Sequence, residues 1–545
     1  MPQQPANNQQ PLFDGEKGFI GFNSRDNPQS LEPGILSLCK NFRLNRGIAE
    51  TRKGLKRITP GGLENTPVRY AMTFQTTEDN VDRILWLSDQ HLYYINPANP
   101  LSSRTQVAYP GAIDLSFLPA LGIIPSAFQA GTWIYIMLGS YSHPIKFNYS
   151  TGVIDFVNIT GANKMPEDAM QGLYLSNRAI VQSSKDEIAV SYYLDVETYA
   201  SLDVFKINDG SDDCIVAIAP WVLNEFVIFM RNRIYYASFG AGAFSAGDAP
   251  LPADSYVKVM ATDIGCIARG SVAQAAGGMI FLSDGGVYMM TPQAATTPEG
   301  MRMGVMGEPL SAPIDDIIQR INQEHVSKAV GKYFNNRYYL AIPIDGSTVN
   351  NAVIIYNFIN KKWESIDTFY SDMDICSMVT AVTNGKRRLF FFDTQYGPFL
   401  TEELADGDHY DYTTNNNTLP EALPFLLYDT SDPNSFTRFP IDSELITRSY
   451  NFGFSEDKRY SQVEIDLHST ASSQIQTSVI ITNPDSETVI DTYGVGATSN
   501  STRDLPIRKV GSSCLFKIKS FSNQSSVRSL FITAIRTGNN IRSTK

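Results

Sequence analysis

Residues Ile84–Ile95 read ILWLSDQHLYYI, with one apolar run on each side of a short polar turn. Ile, Leu, Trp and Tyr suit the pleated, half-buried surface of a β-sheet. The polar residues between the two runs suit a tight turn that joins antiparallel strands. This segment is therefore predicted to form a β-hairpin.

The same pattern recurs through the middle of the chain. Its other copies lie at residues 133–147, 179–193, 226–237, 279–290, 338–356 and 389–400. Successive copies begin roughly 50 residues apart, which is the period of a four-stranded propeller blade. Ordinary hairpins in β-sandwiches share the local signal but have no reason to keep this spacing. The sequence thus predicts an all-β fold with a β-propeller of six to eight blades over residues 61–402.

Paired tyrosines repeat at equivalent positions of three of these hairpins, as Tyr93-Tyr94, Tyr235-Tyr236 and Tyr338-Tyr339. Exposed aromatic rings could bind sugar. Equivalent placement in successive hairpins instead favours packing between blades.

The remainder of the chain divides into three parts. Residues 1–60 are punctuated by Gly and Pro, carry a basic stretch from Arg43 to Arg57, and are interpreted as an extended docking segment. Residues 403–440 are polar and rich in Asn and Pro, as in a linker or surface loop. Residues 441–545 predict a small β-sandwich with strands at 443–454, 460–468, 475–482, 488–493, 514–519 and 529–535. The clearest helix signal is Ser311–Ile321, where four isoleucines share one face.

Charge is unevenly distributed along the 545 residues. The net charge is −12, but residues 61–440 hold 23 Lys and Arg against 41 Asp and Glu, a net charge of −18. A protein that grips duplex DNA shows the opposite sign on its working surface. The first residues lack a signal peptide pattern, and no apolar run reaches the roughly 18 residues that cross a bilayer. We expect a soluble protein without a membrane anchor.

Residues that commonly carry catalysis or bind metal are scattered. The five histidines have no metal-ligand spacing, and neither do the five cysteines, which are interpreted as small buried hydrophobes of a reducing compartment. Two acidic loops bring carboxylates close enough to hold Ca²⁺, but neither has the twelve-residue EF-hand pattern with its closing Glu, so solvated turns are the favoured interpretation. These residues are His91, His143, His325, His409 and His468; Cys39, Cys214, Cys266, Cys376 and Cys514; and the loops Asp209–Asp213 and Asp406–Asp411.

One short motif raises a glycosidase alternative. Residues Ser283–Tyr288 read SDGGVY, similar to the Asp-box hairpin of sialidase-type propellers, but the motif occurs once and lacks the Thr-Trp ending. Glycosidases also need a placed carboxylate pair or a substitute nucleophile. Motifs for hydrolase, dinucleotide and P-loop chemistry are missing from the sequence. We therefore predict no catalytic residue, no cofactor and no metal site, and a protein that is not an enzyme.

Several passages, in their order along the chain, resemble the propeller proteins of short-tailed bacteriophage virions. That family comprises tail nozzle subunits, also called tail tubular protein B, and packaged-DNA stabilisation hub proteins. The resembling passages are Leu31–Gly34, Lys40–Gly47, Thr51–Gly54, Asp209–Tyr236, Ile264–Arg269, Phe281–Tyr288, Tyr338–Pro343, Asn351–Asn357, Lys362-Trp363 and, in the C-terminal part, Ile446–Gly453 with Lys458-Arg459.

This resemblance implies a structural protein of the virion tail, made in the cytoplasm of the host bacterium. It implies a homo-hexameric ring that meets the tail adaptor and portal, closes the DNA exit channel and docks fibres or spikes. An acidic ring wall would let DNA pass without specific binding, and the basic N-terminal segment would suit an acidic neighbouring subunit. The alternatives are a glycan-binding or glycan-hydrolysing propeller that acts in receptor recognition, and a cellular scaffold.

Overall fold

A computed structural model describes most of the chain. The described residues are 11–57, 67–76, 79, 81–96, 105–161, 163–208, 210–221, 224–238, 255–294, 301–305, 307–369, 373–383, 385–394, 397–401, 410–413, 437–469, 474–482, 486–494, 499–521 and 524–536.

Seven antiparallel units of three or four consecutive strands form the middle of the chain. Blade 1 holds β8 (Val68–Gln75), β9 (Asp82–Ser88), β10 (His91–Ile95) and β11 (Thr105–Ala108). Blade 2 holds β12 (Ser126–Ala130), β13 (Trp133–Met137), β14 (Ile145–Asn148) and β15 (Ile154–Phe156). Blade 3 holds β16 (Gly172–Leu175), β17 (Arg178–Gln182), β18 (Glu187–Tyr192) and β19 (Asp195–Lys206). Blade 4 holds β20 (Ile215–Pro220), β21 (Glu225–Met230), β22 (Ile234–Ser238) and β23 (Tyr256–Ala261).

The last three blades follow the same plan. Blade 5 holds β24 (Ala273–Ala275), β25 (Gly278–Ser283), β26 (Gly286–Ala294) and β27 (Met301–Val305). Blade 6 holds β28 (Val330–Phe334), β29 (Arg337–Ile342), β30 (Ala352–Asn357) and β31 (Lys362–Thr368). Blade 7 holds β32 (Ile375–Thr383), β33 (Lys386–Asp393) and β34 (Gly397–Thr401).

Each hairpin predicted from the sequence is the second and third strand of one blade. In Ile84–Ile95, for example, Tyr93 pairs with Trp86 across β9 and β10. The prediction of six to eight blades is therefore confirmed, and the number is seven. Tyr93, Tyr235, Tyr338 and Tyr339 are buried, as expected for packing residues, whereas Tyr94 and Tyr236 are half-buried. The expected equivalence of the three pairs is wrong, because two pairs lie on the third strand of their blades and Tyr338-Tyr339 on the second.

A hydrophobic cluster fills the space between every two neighbouring blades. The cluster between blades 7 and 1 closes the ring, because Phe390 and Phe392 pack with Ile84 and Trp86. Side chains from two adjacent sheets thus form each core, and the sheets are arranged as a closed β-propeller.

The N-terminal segment is extended, but it is not separate from the two domains. It forms the short strands β1 (Leu12–Glu16), β2 (Gly21–Phe22), β3 (Ile35–Leu36), β4 (Leu38–Lys40), β5 (Phe42–Asn45), β6 (Ile48–Thr51) and β7 (Leu55–Arg57). Strand β7 pairs with β34 and supplies the fourth strand of blade 7. A boundary at residue 60 would therefore cut off a strand of the propeller, which local sequence could not indicate because its partner is more than 300 residues away.

Two sheets pack face to face as the sandwich. Its C-terminal strands, with the ribbon β35–β36 that precedes them, are β35 (Tyr410–Thr413), β36 (Thr437–Pro440), β37 (Asp442–Ile446), β38 (Lys458–Ser469), β39 (Gln474–Thr482), β40 (Ser486–Gly494), β41 (Ser499–Gly511), β42 (Ser513–Phe521) and β43 (Ser525–Arg536). The first sheet has the order β41-β38-β43-β6-β5, with β1 also paired to β43, and the second contains β4, β37, β42, β39 and β40.

The sandwich predicted for the C-terminal region is present, but one of its strands was missed. Strand β41 is polar and contains Pro506, which weakens any sequence signal for a strand. It lies at the sheet edge and pairs only with β38 in the described sheet, where proline is tolerated.

Blade 6 and the sandwich share one nine-stranded sheet, β28-β29-β30-β31-β4-β37-β42-β39-β40. Ile366 of β31 pairs in parallel with Lys40 of β4, and Glu444 of β37 pairs with Lys40 from the other side. The propeller and the sandwich are thus joined by main-chain pairing.

Helices are short in the described chain. The helix predicted at Ser311–Ile321 is confirmed as a 3-10 turn, Ala312–Ile314, that continues into α1 (Asp315–Gln319), and its four isoleucines are buried. The other 3-10 turns are Pro110–Ala112, Leu115–Phe117, Gly139–Tyr141, Arg269–Ser271 and Val326–Lys328. Within the described residues, no helix has the length and apolar character needed to span a bilayer.

Candidate functional site: the propeller channel

The innermost strands of the seven blades surround a central cavity of about 1480 Å³. They are β8, β12, β16, β20, β24, β28 and β32, and they run in the same direction along the channel. We call the end at which these strands begin the N-end and the other the C-end. A cleft shared by several structural units is where propellers and other closed folds commonly bind ligands.

The channel lining is cationic, although the chain is acidic. Five basic residues line it against two acidic ones. Its sign is therefore opposite to the net charge of −18 carried by residues 61–440. The charged lining residues are Arg69, Arg269, Lys328, Lys332 and Arg387, with Asp82 and Asp374.

Arg269 crosses the channel at the N-end. It precedes β24 of blade 5, and its Nη2 donates hydrogen bonds to the carbonyl oxygens of Ile124 (2.5 Å) and Pro125 (2.8 Å) just before blade 2. Its Nη1 donates to the carbonyl of Met170 (3.3 Å), just before blade 3. Burial lowers the pKa of Arg269. Because blades 2 and 5 lie on opposite sides of a seven-bladed ring, this guanidinium braces the channel.

Two further cations at the N-end are already engaged. Arg69 forms an ion pair with Asp89 (2.6 Å), and Lys328 donates to the carbonyl of Thr348 (2.8 Å). The carboxylate of Asp374 accepts hydrogen bonds from the main-chain N–H of Asn350 and from the Thr394 hydroxyl. The charged groups of the N-end are therefore held in a structural network.

The C-end differs because its cations have no acidic partner. Lys332 projects from β28 and is half-buried, and Arg387 lies at the start of β33, where its Nη2 donates to Thr380 Oγ1 (2.9 Å). Burial lowers the pKa of Lys332, and the nearby charge of Arg387 lowers it further. In the described chain, neither side chain has a carboxylate within ion-pair distance. Such a pair of cations can attract an anion.

A second group of charged side chains lies where the N-terminal segment meets blade 6. Arg43 is bidentate to Asp367 (2.6 and 3.0 Å), and Arg52 is bidentate to Asp411 (2.6 and 2.9 Å). Arg337 holds Glu364, whose Oε1 accepts the main-chain N–H of Leu44 (2.5 Å). All three ion pairs are buried.

These contacts correct one expectation from the sequence. Arg43 and Arg52 were expected to suit an acidic neighbouring subunit, but both are buried against carboxylates of their own chain. The basic stretch looked available because its acidic partners are 324 and 359 residues away in sequence.

The acidic loops have structural roles where they are described. Asp213 accepts hydrogen bonds from the main-chain N–H groups of Cys214 and Asn232, and Asp411 pairs with Arg52. Asp209, Asp406 and Asp408 lie outside the described residues. The described part of the chain contains no group of three or more His, Cys, Asp or Glu side chains placed to hold a metal ion.

The other candidate residues are dispersed. Asp284 and Gly285 form the two-residue turn between β25 and β26, as the hairpin interpretation predicts. His143 lies beside Glu167 in an exposed contact (3.4 Å), and His409 is outside the described residues. The buried thiols of Cys39, Cys266 and Cys514 have raised pKa values because of burial, that of Cys266 to about 12.

The channel residues were not predicted from the sequence. Lys332 is an isolated cation, and Arg387 is the middle residue of the basic run Lys386-Arg387-Arg388, which gives no indication of which of the three side chains faces inward. For Lys332 the available signal was its place on the innermost strand, which precedes every predicted hairpin, whereas Arg387 lies on the second strand of its blade.

The solved structures to which the chain is similar share little sequence with it. No family model matches it, and no curated protein matches it. Among solved structures, it is similar to YCF48 from Cyanidioschyzon merolae, with 9% identity, 64% of this chain and 98% of that chain covered, and a TM-score of 0.38. It is also similar to Kluyveromyces lactis Hsv2, with 8% identity, 65% of this chain and 95% of that chain covered, and a TM-score of 0.37. For the Cps50 (Swd1) β-propeller domain of Myceliophteria thermophila, the identity is 7%, the match covers 65% of this chain and 100% of that chain, and the TM-score is 0.40. These scores are low, so the identification of a β-propeller rests on the strand pairing of the chain itself.

Proposed function

We propose that this chain is a non-enzymatic structural protein that forms the tail nozzle or hub ring of a short-tailed bacteriophage. The proposal comes from the ordered motifs between Leu31 and Trp363, which resemble those of nozzle and hub proteins. In this role the ring closes the DNA exit channel in the virion and provides docking surfaces for fibres or spikes.

The observation that best supports a structural role is the coupling of the two domains. The nine-stranded sheet runs from blade 6 into the sandwich without a break. Three buried arginine–carboxylate pairs reinforce the same junction. A component of a pressurised channel must transmit force between its parts, and continuous main-chain pairing does so better than a flexible linker.

The proposed partners are further copies of the chain, as a homo-hexamer, and the adaptor and portal above it. DNA would pass through the lumen of the hexamer rather than through the channel of one propeller. The acidic surface of residues 61–440 would favour passage without binding.

Electron microscopy of the purified protein, alone and with its adaptor, tests this proposal. We expect rings with six-fold symmetry and a sedimentation mass near that of a hexamer. A protein that stays strictly monomeric even with the adaptor contradicts it. Specific binding to a glycan array by such a monomer would support the receptor-recognition alternative instead.

A further inference from the structure

The C-end of the propeller channel contains two cations that form no ion pair with any residue the structure describes. Lys332 belongs to blade 6 and Arg387 to blade 7, and both line the cavity. Blades 6 and 7 are neighbours that share a hydrophobic core. Lys332 lies on β28, the innermost strand of blade 6, and Arg387 lies on β33, the second strand of blade 7, so the two side chains line adjoining walls. Rigid sheets therefore fix the position of both charges.

The carboxylates of the channel do not neutralise this pair. Asp82 lies at the same end, but it accepts hydrogen bonds from Gln75 Nε2 (2.7 Å) and from the main-chain N–H of Val382 (2.7 Å). Asp374 is at the N-end, bonded to Asn350 and Thr394. Among the described residues, none forms an ion pair with Lys332 or with Arg387.

This arrangement differs from that of the three arginines where the N-terminal segment meets blade 6. Arg43, Arg52 and Arg337 are each buried with a bidentate carboxylate. Two like charges near each other in a partly desolvated site repel, and each retains donors that water satisfies less well than an anion does. A bound oxyanion would offset the repulsion between the two cations and accept hydrogen bonds from their free donors.

We propose that the C-end of the channel is an oxyanion-binding site in which Lys332 and Arg387 hold a phosphate or carboxylate group. The guanidinium offers paired N–H donors, and the ammonium supplies a point charge from the adjacent wall. The cationic lining concentrates anions in the channel although the protein as a whole is acidic. This binding activity is independent of ring assembly and goes beyond the proposed structural function.

Thermal unfolding of the full chain in sodium phosphate, compared with sodium chloride at matched ionic strength, tests the proposal. Binding to the native state raises its melting temperature, and the stabilisation grows with the logarithm of the ligand concentration once that exceeds Kd. We expect phosphate to stabilise the wild-type protein with this dependence on concentration. A parallel titration with sodium acetate distinguishes a site for phosphate from one that accepts any carboxylate.

Two variants and a matched control locate the effect. Lys332→Met keeps the apolar stem and removes the unpaired charge, so we expect a higher melting temperature in chloride and at least about a tenfold loss of phosphate affinity. Arg387→Gln should lose affinity to a similar extent. Arg388→Gln changes the next residue of β33, which does not line the channel, and should bind phosphate like the wild type.

A cooperative melting transition of Lys332→Met in chloride would show that this variant folds. Loss of phosphate binding in the variant could then not be explained by a folding defect. Equal stabilisation of the wild type and both channel variants by phosphate would overturn the proposal. So would the absence of any stabilisation of the wild type by either anion. Neither result bears on whether the protein forms a ring.

Discussion

At the scale of single residues, two cations of this protein differ in their partners. Arg52 is 2% exposed, donates hydrogen bonds to Asp411 and Asn41, and stacks on Phe369 at 4.7 Å from the ring centroid. Lys332 is half-buried and has no carboxylate partner among the described residues. Removing Arg52 would leave a buried carboxylate unpaired, whereas removing Lys332 would not.

Arg52→Met is expected to destabilise the native protein by about 3–5 kcal/mol, because it leaves the buried carboxylate of Asp411 without its cation. The measurement is the shift of the urea unfolding midpoint. The control is Arg320→Met, which breaks the exposed Arg320–Asp345 pair (2.7 Å) and should cost about 0–1 kcal/mol. Similar shifts of the unfolding midpoint in both variants would show that the buried ion pair contributes no more to stability than the exposed one.

At the scale of elements, blade 7 is completed by a three-residue strand from the N-terminal segment. Strand β7 completes blade 7 through pairing of Leu55 with Thr401 and of Arg57 with Phe399. Leu55 is 4% exposed and packs with Phe334, Tyr339 and Ile375 in the core between blades 6 and 7. The N-terminal segment thereby covers an edge of blade 7 that would otherwise be unpaired.

Leu55→Ala is expected to cost roughly 2–5 kcal/mol, as for other buried leucines, and to loosen blade 7 before the rest of the propeller. Hydrogen exchange measured by mass spectrometry should show faster exchange in peptides from β33 and β34. Val382→Ala is a suitable control, because Val382 is in the same blade but its side chain is exposed. Uniform acceleration in all blades would contradict a local closing role for β7.

At the scale of the whole molecule, hydrogen bonds connect the propeller to the sandwich. Asn41 lies at the centre of the junction, with a left-handed φ of 58° that asparagine tolerates better than most residues. Its Nδ2 donates to the carbonyl of Asp442 (2.7 Å), and its Oδ1 accepts from Arg52 Nε (3.0 Å) and from the N–H of Thr368 (3.1 Å). One amide thus bonds to blade 6, to β37 of the sandwich and to the N-terminal segment.

The two domains are therefore expected to unfold together, which calorimetry would record as a single endotherm. Asn41→Ala should broaden or split this transition, because it removes bonds that connect the domains. Asn322→Ala removes a bond to the carbonyl of Ser347 near blade 6 and should lower the melting temperature without splitting the transition. Two resolved endotherms in the wild-type protein would show that the shared sheet does not couple the domains.

The seven hairpins, the all-β class and most strands of the C-terminal sandwich were predictable from the sequence. Hairpins join residues close along the chain, and individual strands carry the same local signal of alternation and turn residues. The helix at Ser311–Ile321 was predictable for the same reason, since its four buried isoleucines repeat within three turns. The pairing of the sandwich strands carries no such signal, because β38 pairs with β43 and β37 with β42 across long stretches of chain.

The closure of blade 7 and the partners of the charged residues are visible only in the tertiary structure. The pairing of β7 with β34, the partners of Arg43 and Arg52, and the shared place of Lys332 and Arg387 in the channel lining all involve residues from separate strands or blades. A single sequence carries no local signal for such contacts, because they depend on the rotation between blades and on the path of the N-terminal segment. The channel, and with it the candidate anion site, exists only once the ring is closed.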